Sequence, residues 1–304
     1  MQTTSSIFMV RPVKFDFNQE TAHSNAFQRR LPGYLNVQDA AVQEFDNFAE
    51  ILKSNDIDVV VFEDTPEPHT PDSIFPNNWI STHEDGSVYL YPMEAENRRY
   101  ERRTDLIRAL GSRFLIKELR DLSYFEDQNR YLEGTGSMVL DRDNKIAYAC
   151  LSPRTDTVVL KKFAELSGYS IVCFHALDNQ GKAIYHTNVM MCVGAEFVLI
   201  CTEAIKEEIE KKLLINTIHS TGKQIIEITL AQISKFAGNI LQLKNRKNED
   251  LIVLSEQAFQ ALNDKQIDQL SKYGRLIHIP LNTIETAGGG SARCMIAEIH
   301  LPNL

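Results

Sequence analysis

No apolar run in this chain approaches the roughly 20 residues that a membrane-crossing helix needs. The opening MQTTSSIFMVRP has no basic segment followed by a long apolar stretch, so a secretory leader is not expected and a cytoplasmic protein is. Positive charge is also scarce: 32 Lys and Arg against 41 Asp and Glu leave a net charge of -9 and a pI near 5.4. That balance argues against nucleic acid and against an anionic membrane as general partners, because both call for a basic surface. The five cysteines (Cys150, Cys173, Cys192, Cys201 and Cys294) are odd in number and form no CxxC pair, which argues against a disulfide framework and a structural zinc site alike. Low-complexity stretches and Pro/Gly-rich hinges are missing too, so residues 1–304 read as a single domain.

What the chain does contain is alternation. Short apolar runs with β-branched or aromatic bias, among them SIFMVRP, DVVVFED, SVYLYPM, RFLIKEL, SMVLD, KIAYACL, FVLICT, LIVLS and CMIAEIHLP, read as strands. Between them lie helical patterns: VQDAAVQEFDNFAEILKSN, ENRRYERRTDLIRALG, TVVLKKFAELSG, AIKEEIEKKLLINTI and SEQAFQALNDKQIDQLSKYG. The class is therefore α/β, and the spacing suggests a strand, strand, helix, strand unit recurring about every 50 residues.

Several stretches carry more polar groups than their strand settings explain, and buried polar groups need partners. PHTPDSIFPNNWIST places Asp72, Asn77 and Asn78 beside the only tryptophan, Trp79. YLEGTGSMVLD sets Glu133 against a glycine turn, LSPRTD ends a strand at Arg154, and IYHTNVMMCVG puts His186 and Asn188 ahead of an apolar run. GGGSARCMIAEIHLP brings three glycines and Cys294 before the last expected strand. Singly, each has an ordinary explanation: a packed thiol, a satisfied histidine, a loop carboxylate or a set of Asx turns. Together they supply the parts of thiol chemistry. A nucleophile needs a base to make thiolate, the base needs a carboxylate to orient it, and a substrate needs polar anchors. Glycines without Cβ atoms would let the final loop approach a ligand closely.

PDSIFPNNW (71–79), the arginine pair at 98 and 99, LEGTGS (132–137), SPRTD (152–156), YHTN (185–188) and GGGSARC (288–294) occur in an order that resembles the guanidino-group-modifying enzymes: arginine and agmatine deiminases, dimethylargininases and glycine amidinotransferases. Within that superfamily the chain looks like the citrulline utilisation hydrolase branch. The resemblance implies a pseudo-five-fold α/β propeller, the pentein fold, built from ββαβ modules around a central active site. It further implies Cys294 as nucleophile, His186 as general acid and base, and Glu133 as the carboxylate that holds the imidazole. By the same resemblance Asp72 would bind the substrate α-amino group. Arg154, with one of Arg98 and Arg99 and Arg98 preferred, would bind its α-carboxylate. The alternative for the arginine pair is a solvated helix face.

Two departures bear on the substrate. Asn78 and Asn188 stand where related deiminases carry aspartates. A buried guanidinium without an anion is expensive, whereas a ureido group needs both donors and acceptors, and an amide offers both. The expectation is hydrolysis of citrulline to ornithine, ammonia and carbon dioxide through an S-carbamoyl intermediate, with no metal or organic cofactor. The thiol and imidazole would form a standing ion pair or exchange a proton on binding. Three other readings stay open: a deiminase or dimethylargininase with Glu285 or Asp72 compensating for the amides, an amidinotransferase, and a non-catalytic propeller that binds an amino acid. The expected partner is a small amino-acid substrate, and the oligomeric state, a homo-oligomer included, is left open.

Overall fold

A computed structural model describes residues 1–32 and 36–304. The strands form five separate three-stranded sheets. In the first, β1 (Ser6–Arg11) is followed by helix α1 (Val37–Ser54) and the parallel strand β2 (Asp58–Glu63). The second contains β3 (Ile80–Thr82) and β4 (Ser87–Leu90), then helices α2 (Glu96–Arg99) and α3 (Thr104–Leu110), then β5 (Glu118–Asp121). The single turn α4 (Gly134–Ser137) leads into β6 (Val139–Asp141), β7 (Ile146–Cys150), α5 (Thr157–Ser167) and β8 (Ser170–Phe174). The fourth sheet joins β9 (Met191–Val193), β10 (Phe197–Ile200) and, after α6 (Glu208–Ser220), β11 (Gln224–Glu227). Beyond α7 (Leu230–Ile233) the fifth holds β12 (Leu241–Lys244), β13 (Asp250–Ser255), helices α8 (Glu256–Ala261) and α9 (Asp264–Leu270), and β14 (Arg275–Ile279). Finally α10 (Asn282–Gly288) precedes β15 (Ala297–Ile299), which returns to pair antiparallel with β1.

Every sheet thus has one pattern, an antiparallel pair followed by a parallel strand reached through a helix. This is the mixed α/β repeat that a ββαβ propeller requires. Sheets consecutive in sequence also touch: β15 meets β3, β6 meets β9, and β9 meets β12. The backbone N–H of Lys244 donates to the carbonyl of Thr4, linking the fifth sheet to the approach of β1.

Local chemistry sets the elements. Asn36 caps α1 by accepting from the Asp39 amide, and the helix buries Ala41, Phe45, Phe48 and Leu52 at the helical spacing of one face. Asp156 caps α5, which ends at Gly168 in the left-handed region, φ 73°, where a side chain would be strained. No helix among the described residues is long and apolar enough to cross a membrane.

Three sequence expectations change. The run RFLIKEL is strand only at its end, where β5 starts at Glu118. ENRRYERRTDLIRALG breaks between Arg99 and Thr104 because Glu101 turns inward to bond Arg98. The last long helical pattern splits at Asn263, whose side chain caps α9 in a reciprocal box with Gln266.

The repeat also positions the site. Residues just ahead of the first strand of each sheet are Asn78, Gly136, Asn188, Asn239 and Cys294. Each of the five units therefore contributes one short polar or thiol-bearing turn.

Candidate active site

Cys294 lies in a turn whose amide donates to the carbonyl of Ser291 at 2.9 Å. Its Sγ accepts from Asn239 Nδ2 at 3.2 Å, and Asn188 Nδ2 lies 3.7 Å away. Asn239 ties three segments together, since it also donates to the carbonyl of Asn188 at 3.0 Å and accepts from the Arg293 amide at 3.1 Å. Phe75, Asn78, Arg98, Arg154, Tyr185 and His186 line the same pocket as the thiol.

His186 Nε2 lies 2.8 Å from Glu133 Oε2. A carboxylate can only accept, so Nε2 carries the hydrogen and Nδ1 is the free base. Glu133 is wholly buried, with Arg154 Nη1 at 3.3 Å and Arg98 Nη1 at 3.8 Å. Burial alone would raise its pKa, but Arg154, the His186 bond and Arg98 outweigh that and hold it well below the usual carboxylate range. The neighbouring Gly136 is needed sterically. A Cβ there would fall 2.3 Å from Asn78 Nδ2 and 2.9 Å from His186 Nδ1 and Cε1.

The three glycines before Cys294 act mainly through packing. Cβ atoms on Gly288 and Gly290 would run into the Phe75 ring at 2.9 and 2.7 Å, and Gly289, at φ 67°, lies against Asn25. They still line the pocket, so the close approach expected from the sequence is made first to Phe75. Tyr185 fixes the loop by donating to the Gly289 carbonyl at 2.8 Å.

A second layer carries charge. Arg98 turns inward, whereas Arg99 bonds the carbonyls of Met93 and Glu94. The Arg98 guanidinium is largely committed: Glu101 takes two bonds at 2.9 Å, Asn78 Oδ1 one at 3.0 Å and the Phe75 carbonyl one at 3.3 Å. It is therefore a poor fork for a substrate carboxylate, and it orients Asn78. With its acceptor occupied, Asn78 offers only Nδ2, which is buried without a partner. The sequence argument that this amide supplies both donor and acceptor changes accordingly. Arg154 bonds Glu94 at 3.1 Å and Ser24 at 2.6 Å in addition to Glu133. Asp72 accepts from Asn18 at 2.8 Å, lies 3.8 Å from Arg98 and keeps Oδ1 unpartnered. The whole network sets two arginines, Arg98 and Arg154, against four carboxylates, Asp72, Glu94, Glu101 and Glu133. Desolvation lifts Asp72 and takes Glu101 up to about 8.

The segment between β1 and α1 roofs the pocket through Asn18, Thr21, Ser24 and Asn25. The space left is about 10 Å³, close to the minimum for one water, so a substrate must displace the roof. In this closed pocket burial pushes the Cys294 thiol up and the His186 imidazole down. Both shifts oppose a standing ion pair and leave proton transfer on binding.

Cys150, Cys192 and Cys201 are buried in the core with thiols pushed up to about 12, and Cys173 is half-buried. No group of three or more His, Cys, Asp or Glu side chains among the described residues is arranged to hold a metal ion. Sequence reasoning missed Asn239. Its signal was present in AGNI, where a glycine and an asparagine precede an apolar run as in HTNV. Gly238 is needed there because a Cβ would fall 2.3 Å from the Val189 carbonyl oxygen.

Residues 11–301 match the family described as N,N dimethylarginine dimethylhydrolase, eukaryotic. No curated protein matches the chain in sequence. Among solved structures, the substrate-bound N-terminal domain of ArgZ, an arginine dihydrolase from the ornithine-ammonia cycle in cyanobacteria, superposes with a TM-score of 0.76 at 17% identity, covering 98% of this chain and 99% of that one. Apo ArgZ gives 0.75 at 17% identity over 98% of this chain, which spans only 41% of ArgZ. A dimethylarginine dimethylaminohydrolase variant, as the adduct with S-methyl-L-thiocitrulline, gives 0.64 at 16% identity, covering 98% of this chain and 100% of that one. At these identities the superpositions speak for the fold.

Proposed function

Because this chain belongs to the eukaryotic-type N,N dimethylarginine dimethylhydrolase family, hydrolases of carbon–nitrogen bonds in guanidino compounds, we propose that it hydrolyses the guanidino head group of a free α-amino acid of the arginine type. Residues 1–304 act in this reading as one catalytic unit, with the five sheets closed around the site, in the cytoplasm and without a cofactor. The observation that carries it is the buried Glu133–His186 pair in the pocket of Cys294, within a network that has more carboxylates than arginines. Such an excess suits a zwitterion with an additional cationic head, because a buried cation needs anions nearby. A neutral ureide would leave the excess uncompensated. This displaces citrulline as the first choice of substrate.

In the derived mechanism the cation entering beside Sγ reverses the upward push on the thiol. Cys294 passes its proton to His186 Nδ1 and adds to the central guanidino carbon. The imidazolium returns the proton to the departing nitrogen, which leaves as ammonia or an alkylamine, and an S-alkylthiouronium remains on Cys294. His186 then deprotonates water. Hydroxide adds to the same carbon, the C–S bond breaks, and a ureido product leaves. Asn239 Nδ2 supports the thiolate, and Asn78 Nδ2 is a donor for the oxygen that arrives with the water. Asp72, through its unpartnered Oδ1, receives the α-amino group, and Arg154 offers its remaining N–H to the carboxylate.

A second reading has a specific observation behind it. The groups nearest the thiol, Asn188 and Asn239, are amides, and Asn78 presents a donor alone, which suits a ureido oxygen. Hydrolysis of citrulline to ornithine, ammonia and carbon dioxide would follow. Product analysis decides between them: the full chain is incubated separately with L-arginine, N,N-dimethyl-L-arginine and L-citrulline, with Cys294→Ala as control. Citrulline appearing from either of the first two supports the guanidino reading. Ornithine formed from citrulline alone supports the second, and no turnover of any of the three refutes both.

A further inference from the structure

Beside the catalytic pocket, and sharing the Tyr185 wall with it, is a separate cavity of about 410 Å³. Glu285 lines it. This side chain is buried, and its carboxylate accepts from Gln257 Nε2 at 2.9 Å and from Ser291 Oγ at 2.6 Å. Neither partner is charged, and no basic side chain pairs with Glu285 among the described residues. The nearby Glu44 adds negative potential, because it caps the start of α10 at the amides of Thr283 and Ile284. A buried carboxylate beside open space and without a cation is costly unless a cation arrives. The remaining walls suit one. Phe27 packs on Phe236 with centroids 4.8 Å apart and against Tyr185 at 6.2 Å, and aromatic faces attract desolvated cations. At the rim, Arg29 and Lys235 are exposed and have no carboxylate partner among the described residues.

We propose that this cavity is a second binding site, for a basic α-amino acid, which seats its guanidinium or alkylammonium group on Glu285 among the aromatic walls and turns its carboxylate toward Arg29 and Lys235. The occupant bears on catalysis through two contacts. Glu285 bonds Ser291, whose carbonyl holds the Cys294 amide, and Phe27 belongs to the segment that roofs the catalytic pocket. The site does not depend on which head group the enzyme hydrolyses.

Equilibrium dialysis of labelled L-arginine against the full chain carrying Cys294→Ser, which blocks turnover, tests this. The expected result is a binding component that weakens at least tenfold on adding Glu285→Gln. Adding Leu230→Trp, which fills the cavity without touching the carboxylate, weakens it likewise, and adding Asp72→Asn does not. L-citrulline, the neutral isostere, fails to compete for it. Should Glu285→Gln not fold, Leu230→Trp decides alone. Binding that is indifferent to Leu230→Trp, or a component for which citrulline competes as well as arginine, overturns the proposal. A catalytic pocket that did not bind arginine would remove only the Asp72-sensitive component and leave this one in place.

Discussion

Adding one methyl group at Gly136 is a severe test of the site geometry. An alanine Cβ would stand 2.3 Å from Asn78 Nδ2 and 2.9 Å from two atoms of the His186 ring. Ordinary contact begins near 3.4 Å, so Asn78 must retreat by about 1 Å, and a displacement of that size at reacting groups costs about 100-fold in rate. Neither group can yield freely. Asn78 is held by Arg98 at 3.0 Å and His186 by Glu133 at 2.8 Å. Gly136→Ala should therefore lower kcat by about 100-fold while overpacking costs about 1–3 kcal/mol of stability. Steady-state kinetics alongside thermal unfolding separates the two effects. Gly168→Ala is the control: it strains a left-handed helix cap, but a Cβ there meets nothing within 4 Å, so stability should fall by about 1 kcal/mol with kcat unchanged. A Gly136→Ala enzyme within twofold of the parent kcat would refute the placement of Asn78 and His186 about this glycine.

Asn239→Ala removes the donor 3.2 Å from Sγ, so the pH profile of iodoacetamide inactivation should move to higher pH; an unchanged profile would deny Asn239 its place at the thiolate. Glu133→Gln should reduce kcat by about 10²- to 10⁴-fold, read in single-turnover assays, while a kcat within threefold of the parent would show that His186 needs no carboxylate. Because the folded-state pKa of Glu133 is depressed, its contribution to stability is present above the ordinary value of about 4.3 and is lost as pH falls further. Urea unfolding of the parent should accordingly lose stability below about pH 4 by more than Glu133→Gln does. Replacing Cys150, Cys192 or Cys201 by alanine should cost stability and spare turnover, since each is a core thiol outside the pocket; a folded but inactive variant would relocate the thiol chemistry.

The repeat was readable in the sequence because each core strand is a short β-branched run and each surface helix has its own period. Where burial gave no pattern, the reading failed. Strand β3, Ile80–Thr82, is three residues long and follows directly on a polar turn, so it carries too little alternation to register. The helix around Arg98 looked continuous because its spacing is helical, yet the buried pair with Glu101 breaks it. Cys294, His186 and Glu133 could be nominated from residue type and neighbouring glycines. That the acceptor of Asn78 is consumed by Arg98 depends on a tertiary hydrogen bond, and no local pattern encodes it. Asn239 was overlooked because a single asparagine before a strand is ordinarily a turn residue. Only convergence with Cys294 and Asn188 gives it a role.

The central claim is covalent catalysis by Cys294 on a guanidino carbon. The most direct measurement is the intact mass and peptide map of enzyme acid-quenched during turnover of L-arginine or N,N-dimethyl-L-arginine. The account predicts a substrate-derived adduct confined to the peptide that contains Cys294 and absent from Cys294→Ser. Turnover that persists in Cys294→Ser, or an adduct that maps to another cysteine, would contradict it.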